Sequence, residues 1–146
     1  MAFRARCFLL SVVLLLTIGQ RLSAECVLIP VDRSKRDAAV VFEGIVTNVE
    51  HLKGGEQAAT LTVHRVWKGD VPPEITVYFV PSIDGPSFDK AQRRIVFAGP
   101  QTHRDRRDVA ADAPHREAWV RPCSGSQVVE DETVRQLGRA RPARTQ

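Results

Sequence analysis

The sequence is poor in the residues from which metal sites and catalytic sites are built. Its 146 residues include three Cys, one Met, one Tyr and four His, and only 6% are aromatic. A zinc site needs three or four clustered ligands, but the four His are scattered and none has a Cys beside it. The sequence therefore predicts no metal site. The scattered histidines are His51, His64, His103 and His115.

Catalytic motifs are missing as well. His103-Arg104-Asp105 matches the catalytic triplet of a protein kinase in its letters, but the Gly-rich loop and the metal-binding companion of that triplet are absent. Ser124 and Ser126 have no nucleophile-elbow pattern around them, and no His and Asp can be assigned to either. The sequence therefore predicts a protein that is not an enzyme and that needs no cofactor.

Long apolar runs are absent except near the N-terminus. Residues 8–18 form an apolar stretch that follows Arg4 and Arg6 and leads to the small residue Ala24. This layout is typical of a secretory signal peptide, and the stretch is shorter than the roughly 20 residues that a membrane-spanning helix needs. We expect a signal peptide over residues 1–24 with cleavage after Ala24. The sequence thus predicts a secreted or periplasmic protein with no stable membrane insertion after cleavage.

A large charge excess is also lacking once that segment is removed. The chain has 21 Lys and Arg against 17 Asp and Glu, and residues 1–24 contain three of the Arg and no acidic residue. A nucleic-acid binder normally concentrates basic residues, and this chain does so only at its C-terminal end. We therefore predict a basic, disordered tail over residues 138–146 and no nucleic-acid partner, with polyanion or nucleic-acid binding kept as an alternative function.

Cysteine is scarce, and the predicted cleavage leaves an even number. Cys7 lies within the predicted signal peptide, so the exported chain would keep Cys26 and Cys123. Two Cys in an oxidising compartment are expected to form a disulfide. Metal binding by the pair would need further ligands, and none lies near them in the sequence.

Strand-forming residues dominate the remainder of the chain, residues 25–137, which has the length of a single domain. Gly44 interrupts the first apolar run and the alternation slips at Val66, and both features indicate bulges. Short strands with bends favour a small closed sheet over a sandwich. The sequence predicts a mainly β fold, a five-stranded Greek-key OB-like barrel with a C-terminal helix. The predicted strands cover residues 38–49, 59–67, 74–80, 93–98 and 118–121, and the helix covers residues 128–137 with Ser126 as its cap.

Trp67-Lys68-Gly69 is predicted to be a corner between the second and third strands. Trp67 offers a large apolar side chain to fill the end of the barrel, and its N–H needs one hydrogen-bond acceptor. Gly69 permits a positive φ, and the Lys68 ammonium is expected to be solvated. The corner is therefore predicted to shape the chain rather than to bind a ligand.

Six short motifs occur in an order that resembles a known family. They are Cys26, "AAVVFEGIV" at residues 38–46, "VHRVWKG" at 63–69, "ITV" at 75–77, "IVFA" at 95–98 and "CSG" at 123–125. The set resembles the secreted TIMP-like proteins (tissue inhibitor of metalloproteinases) of the netrin-module class, and its bacterial members most of all. This resemblance implies an OB-fold barrel in which a Cys26–Cys123 disulfide ties the N-terminus to the end of the barrel. The chain departs from the family pattern in lacking a Cys-x-Cys start and in having Asp84-Gly85 near the usual Cys-Gly.

The resemblance also implies a possible inhibitory N-terminus. In the animal members of the family, a mature N-terminal Cys binds the catalytic zinc of a metalloproteinase through its free amine and carbonyl. A chain that begins at Glu25 would lock the amine of Cys26 in a peptide bond, so metalloproteinase inhibition is an alternative that requires a mature start at Cys26. We expect an exported, non-enzymatic interaction module with an unknown protein or polysaccharide partner. The Arg104–Arg107 cluster is a candidate contact for an acidic partner.

Overall fold

The computed structural model describes residues 29–82, 85–109 and 114–143. The predicted signal peptide, Cys26 and Asp84 lie outside these residues. The helices are α1 (Val31–Asp37) and α2 (Asp131–Leu137), and short 3₁₀ turns cover Lys53–Gly55 and Asp105–Asp108. The strands are β1 (Val40–His51), β2 (Gln57–Lys68), β3 (Glu74–Phe79), β4 (Arg93–Ala98) and β5 (Gln127–Val128).

The strands form one antiparallel sheet in the order β3-β2-β1-β4-β5. This confirms the predicted mainly β fold with five strands and a C-terminal helix, but the sheet of named strands is open. The fifth strand is at Gln127–Val128 rather than at the predicted residues 118–121, where Trp119 makes only single bridges. A longer ladder is prevented there because Pro100 and Pro122 lack the N–H that a ladder requires.

Bulges in β1 and β2 bend the sheet where the sequence indicates them. The pairing of β1 with β2 shifts register between Glu43 and Gly44 and again between Val41 and Phe42. A Cβ on Gly44 would lie 2.7 Å from the backbone oxygen of Thr62, so only glycine lets the two strands approach this closely. The first shift leaves His64 unpaired between Val63 and Arg65, which accounts for the slip in alternation at Val66. The second shift leaves Trp67 without a paired residue on β1.

The hydrophobic core has two parts, one on each face of the sheet. The larger part includes Phe42, Leu61, Phe79 and Val96. The smaller part lies between the other face and the two helices, and it contains Ala38, Val41, Ile95, Phe97 and Leu137. Successive residues of β1 and β4 therefore point into different parts of the core, as the two-residue period of a strand requires.

Trp67 does not fill the end of a barrel, contrary to the prediction. It is half-buried and packs against the smaller core, and its Nε1–H donates to the backbone oxygen of Gly138 at 2.9 Å. The bulge turns the Trp67 side chain towards the helices instead of the larger core. Gly69 has the predicted positive φ of 77°, and a Cβ there would lie 2.7 Å from the backbone oxygen of Ala39.

Lys68 also differs from its prediction, because its ammonium is not simply solvated. Its Nζ donates to the backbone oxygens of Lys35 at 2.9 Å and Arg36 at 2.8 Å, in the last turn of α1. Lys35 in turn donates from Nζ to the backbone oxygen of Leu137 at the end of α2, at 2.8 Å. Each lysine places a positive charge at the negative end of a helix. The corner thus fixes both helices to the sheet.

We expect Lys68→Met to lower the free energy of unfolding by about 1–2 kcal/mol, because the last carbonyls of α1 lose a charged donor. Met keeps most of the apolar length of the side chain, so the decrease in the free energy of unfolding measures the contribution of the Lys68 ammonium. Urea unfolding of this variant would measure it, with Lys90→Met at an exposed loop position as the control. Equal stability of the two variants would contradict the helix-capping role.

The C-terminal residues run beside β2. Arg141 pairs with Val66 through two backbone hydrogen bonds, of 2.8 and 2.9 Å, and its side chain donates to the backbone oxygen of Gly69. The sequence predicts a disordered tail from residue 138, whereas Arg141 is held against the sheet. Residues 144–146 lie outside the described chain.

Candidate functional site

Two loops meet at one end of the sheet, and a buried ion pair joins them. We call residues 52–56, 99–109 and 114–117 the loop pair. Glu56 ends the first loop and is 1% exposed, and its carboxylate accepts from Nε of Arg116 at 2.8 Å. Breaking a buried ion pair by removing one partner is costly, because the other charge is left without compensation. The pair therefore fixes the two loops relative to each other.

Tyr78 of β3 supports this ion pair. The guanidinium carbon of Arg116 lies 4.0 Å from the centre of the Tyr78 ring, which is a close cation–π contact. The backbone of Tyr78 is hydrogen-bonded to Ala118 and Val120, which follow the second loop directly. Carboxylate, guanidinium and ring thus connect the first loop, the second loop and the sheet.

Gln101 holds the two sides of the second loop together. Its backbone N–H donates to the oxygen of Arg116 at 2.8 Å, and its side-chain oxygen accepts from the backbone N–H of Arg116 at 3.3 Å. The ring of His115 donates from Nε2 to the backbone oxygen of Gln101 at 2.7 Å. Gln101 is 3% exposed, and its Nε2 has no hydrogen-bond partner among the described residues. The base of the loop is therefore a buried polar network.

The tip of the second loop, residues 102–108, is a basic segment with a fixed backbone. The Asp105 carboxylate accepts from both the N–H and the hydroxyl of Thr102 at 2.7 Å, and Arg121 Nε lies 3.1 Å from it. These bonds hold the 3₁₀ turn that begins at Asp105. Arg104, just before this turn, and Arg107, within it, are exposed. We call residues 102–108 the basic tip.

The residues singled out in the sequence do not gather at the loop pair. Gly44, Trp67, Lys68 and Gly69 make the framework contacts described above. Ser126 does not cap α2, because its hydroxyl accepts from the backbone N–H of Phe97 at 2.9 Å and the helix begins at Asp131.

The histidines do not form a metal site, and most aromatic side chains are buried, over the part of the chain that the structure describes. Among the described residues, no group of three or more His, Cys, Asp and Glu side chains is placed to hold a metal ion. His51 contacts Gln57, and His64 and His103 are exposed. The buried aromatic residues are Phe42, Phe79, Phe88, Phe97 and Trp119, while Tyr78 is half-buried at the loop pair.

Cys123 lies in a tight turn whose last residue must be glycine. Cys123 is bonded and is not a free thiol, but Cys26 lies outside the described residues, so the Cys26–Cys123 disulfide stays a prediction. Gly125 has a φ of 85°, and a Cβ there would lie 2.9 Å from Oγ of Ser34. The "CSG" motif thus allows this turn to approach α1 closely.

Two buried carboxylates escape sequence reasoning. Glu43 is fully buried in β1, and its carboxylate pairs with Arg65, at 2.9 Å, and with Arg93. Glu56 follows Gly54-Gly55 and reads as the end of an exposed turn. The burial of Glu43 could have been suspected from Arg65 and Arg93, which lie on strands predicted to be its neighbours. The burial of Glu56 could not, because its partner Arg116 is 60 residues away in the chain.

A buried arginine lies on the strand β4, beside the larger core. Arg94 is 5% exposed and lies over the Phe88 ring at 5.1 Å, and its Nη1 donates to the side chain of Gln92 at 3.1 Å. Burial lowers the pKa of the Arg94 guanidinium, and the nearby Asp89 carboxylate acts in the opposite direction. An arginine keeps its charge despite such a shift. Arg94 therefore covers Phe88 at the border of the larger core as a permanent cation and does not exchange a proton.

Comparisons with known proteins give no indication of function, so the proposal below is based on the geometry of the loop pair. No protein-family model and no curated protein matches this chain. Over residues 29–82, 85–109 and 114–143, no helix combines the length and the apolar character needed to cross a membrane.

Proposed function

We propose that this chain is an exported, non-enzymatic binding module that contacts an acidic protein or polysaccharide through the loop pair. The observation that carries the proposal is the exposure of Arg104 and Arg107 on a tip whose backbone Asp105 holds in place. The resemblance to TIMP-like proteins supports an exported scaffold of this kind.

The scaffold that we propose is an OB-like barrel closed through Trp119. The backbone of residues 118–120 is hydrogen-bonded to Tyr78 of β3 in parallel orientation and to Gly99, just after β4, in antiparallel orientation. These bonds link β3, an edge strand of the sheet, to the residue that follows β4, and this link supports the proposed closure. In an OB fold, the loops after the first and fourth strands are the ones that bind oligonucleotides and oligosaccharides. Those loops correspond to the loop pair here.

The loop pair is suited to binding because hydrogen bonds and an ion pair already hold its base and its tip before a partner binds. The ion pair of Glu56 with Arg116 and the Gln101 network fix the base, and Asp105 fixes the tip. A surface that is already ordered loses less conformational entropy when it binds. Preorganised cations also attract anionic partners over several ångströms and raise the association rate.

Asp105 does not cancel the positive charge of the tip. Its carboxylate is engaged by the backbone and hydroxyl of Thr102 and by Arg121 below the tip. The two outward charges of Arg104 and Arg107 are therefore offered to solvent. This arrangement favours an anionic ligand rather than an apolar one.

The proposal predicts that Arg104→Ala/Arg107→Ala weakens binding to heparin, used as an acidic polysaccharide, by about fivefold at low salt. The matched control is Arg36→Ala/Arg139→Ala, which removes the same charge from exposed positions outside the loop pair. Titration calorimetry with heparin and with polyglutamate would measure both variants and show whether a polysaccharide or a protein-like polyanion is preferred.

Equal weakening in the two double variants would mean that net charge alone governs binding, and it would contradict a site at the loop pair. Equally strong binding of a single-stranded oligonucleotide would favour the alternative of general polyanion binding. N-terminal sequencing of the exported chain separates the remaining alternative, since metalloproteinase inhibition requires a start at Cys26 rather than at Glu25.

A further inference from the structure

A cavity of about 240 Å³ lies between α1, the end of β4 and the segment that follows Trp119. Its wall is mostly apolar, and the residues that matter here are Ile29, Ser34, Ala38, Phe97, Trp119 and Arg121. None of the residues assigned above to the ion pair of the loop pair lines it. Small-molecule sites are concave and mostly apolar, with a few polar groups that fix orientation. The cavity has this character.

Two residues that line the cavity each have a buried polar atom with no hydrogen-bond partner among the described residues. These atoms are Oγ of Ser34, a residue that is 6% exposed, and Nε1 of Trp119, a residue that is 2% exposed. Buried polar groups are nearly always hydrogen-bonded in folded proteins. An indole N–H can only donate, whereas a hydroxyl can donate or accept. A ligand group that accepts hydrogen bonds would therefore give both Ser34 Oγ and Trp119 Nε1 a partner.

The charges around the cavity balance one another. Arg121 is held by the Asp105 carboxylate at 3.1 Å, and its Nη2 donates to the backbone oxygen of Pro100 at 2.9 Å. Asp37 is exposed at the rim, where Arg33 lies 3.8 Å away. A carboxylate that entered the cavity would be desolvated without an uncommitted cation to offset the cost. A neutral acceptor avoids that cost.

We propose that this cavity binds a small, uncharged molecule with an apolar body and a carbonyl oxygen. The carbonyl oxygen has two lone pairs and accepts from both Trp119 Nε1 and Ser34 Oγ. A cavity of roughly 150 Å³ accommodates a benzene ring, so this one has room for a ring with a short carbonyl-bearing chain. Gly99, the first residue of the second loop, also lines the cavity, but no residue of the Glu56–Arg116 ion pair or of the basic tip does. The proposal does not depend on the function proposed for the loop pair.

The test is a titration of the folded chain with propiophenone, observed through the indole N–H signals of ¹⁵N-labelled tryptophan. The chain has two Trp, and Trp67→Phe assigns their signals. We expect the Trp119 indole proton to move downfield as it gains an acceptor. The Trp67 signal should stay in place, because its N–H already donates to Gly138.

Matched variants and probes separate the proposed site from general apolar binding. Ser34→Ala removes one donor and should weaken propiophenone binding by about three- to tenfold, while Ser87→Ala, at an exposed position outside the cavity, should not. Propylbenzene has no acceptor and phenylacetate is charged, so each should bind at least about tenfold more weakly than propiophenone. An unchanged Trp67 signal shows that Ser34→Ala is folded.

Three results would overturn the proposal. The first is a Trp119 signal that no probe moves at millimolar concentration, as expected if only water occupies the cavity. The second is equal binding of propylbenzene and propiophenone, and the third is undiminished propiophenone binding to Ser34→Ala. The heparin test uses variants of Arg104 and Arg107, whereas the propiophenone test uses Trp119 and Ser34. A negative result in one test therefore leaves the other proposal standing.

Discussion

Arg116→Ala is expected to lower the free energy of unfolding by about 3–5 kcal/mol. The substitution would leave the Glu56 carboxylate 1% exposed and without its charged partner. It would also remove the guanidinium from the face of the Tyr78 ring. A loss of this size is a large share of the stability of a small domain, and urea unfolding monitored by circular dichroism would measure it.

Two further variants isolate the ion pair from the simple loss of an arginine. Glu56→Gln/Arg116→Met removes both charges while keeping similar volumes, and it should recover most of the lost stability. Arg93→Ala also removes an arginine from a buried carboxylate, but Glu43 keeps Arg65, so its cost should be clearly smaller. A double variant no more stable than Arg116→Ala would contradict the role assigned to the unpaired Glu56 charge.

Local patterns explain which parts of the fold the sequence predicts well. The bounds of β4, residues 93–98, match the prediction, because a short run of strand-forming residues is ended by Gly99-Pro100. The bulge at Gly44 and the positive φ at Gly69 also follow from single glycines at positions where a side chain has no room. These features depend on residues that are neighbours in the chain.

Features that depend on distant partners escape the same reasoning. Helix α1 has seven residues, too few for a periodic pattern, and its C-terminal carbonyls are satisfied by Lys68, about 30 residues later in the chain. Helix α2 begins at Asp131 rather than at the predicted residue 128, because Gln127 and Val128 pair with β4 instead. Neither outcome is visible in helix propensity alone.

The candidate sites show the same division. The exposed arginines of the basic tip are apparent in the sequence, since a run of charges in a Pro-bounded stretch indicates a surface loop. The Glu56–Arg116 pair and the two unpartnered donors of the cavity are not apparent. Each joins residues that are far apart in sequence, and burial of a polar atom becomes known only from the packing around it.

The two tryptophans test the corrected core directly. The sequence favours Trp67 as the buried plug, whereas the structure leaves it half-buried and buries Trp119 to 2% exposure. Trp119→Ala should therefore lower the free energy of unfolding by about 3–5 kcal/mol, because it empties a large volume beside the residues that join β3 to Gly99. Thermal or urea unfolding would measure the change.

Trp67→Ala is the matched comparison, and we expect about half of that loss. It removes partial packing on the smaller core and one hydrogen bond to Gly138, which together amount to about 2 kcal/mol. Trp119→Phe should lie near Trp67→Ala, since it keeps most of the apolar volume and removes an N–H that has no partner among the described residues. If Trp67→Ala instead proved the more destabilising of the two alanine variants, the side chain that supports the core would be the one in the Trp-Lys-Gly corner. The link through Trp119 would then contribute little to the fold.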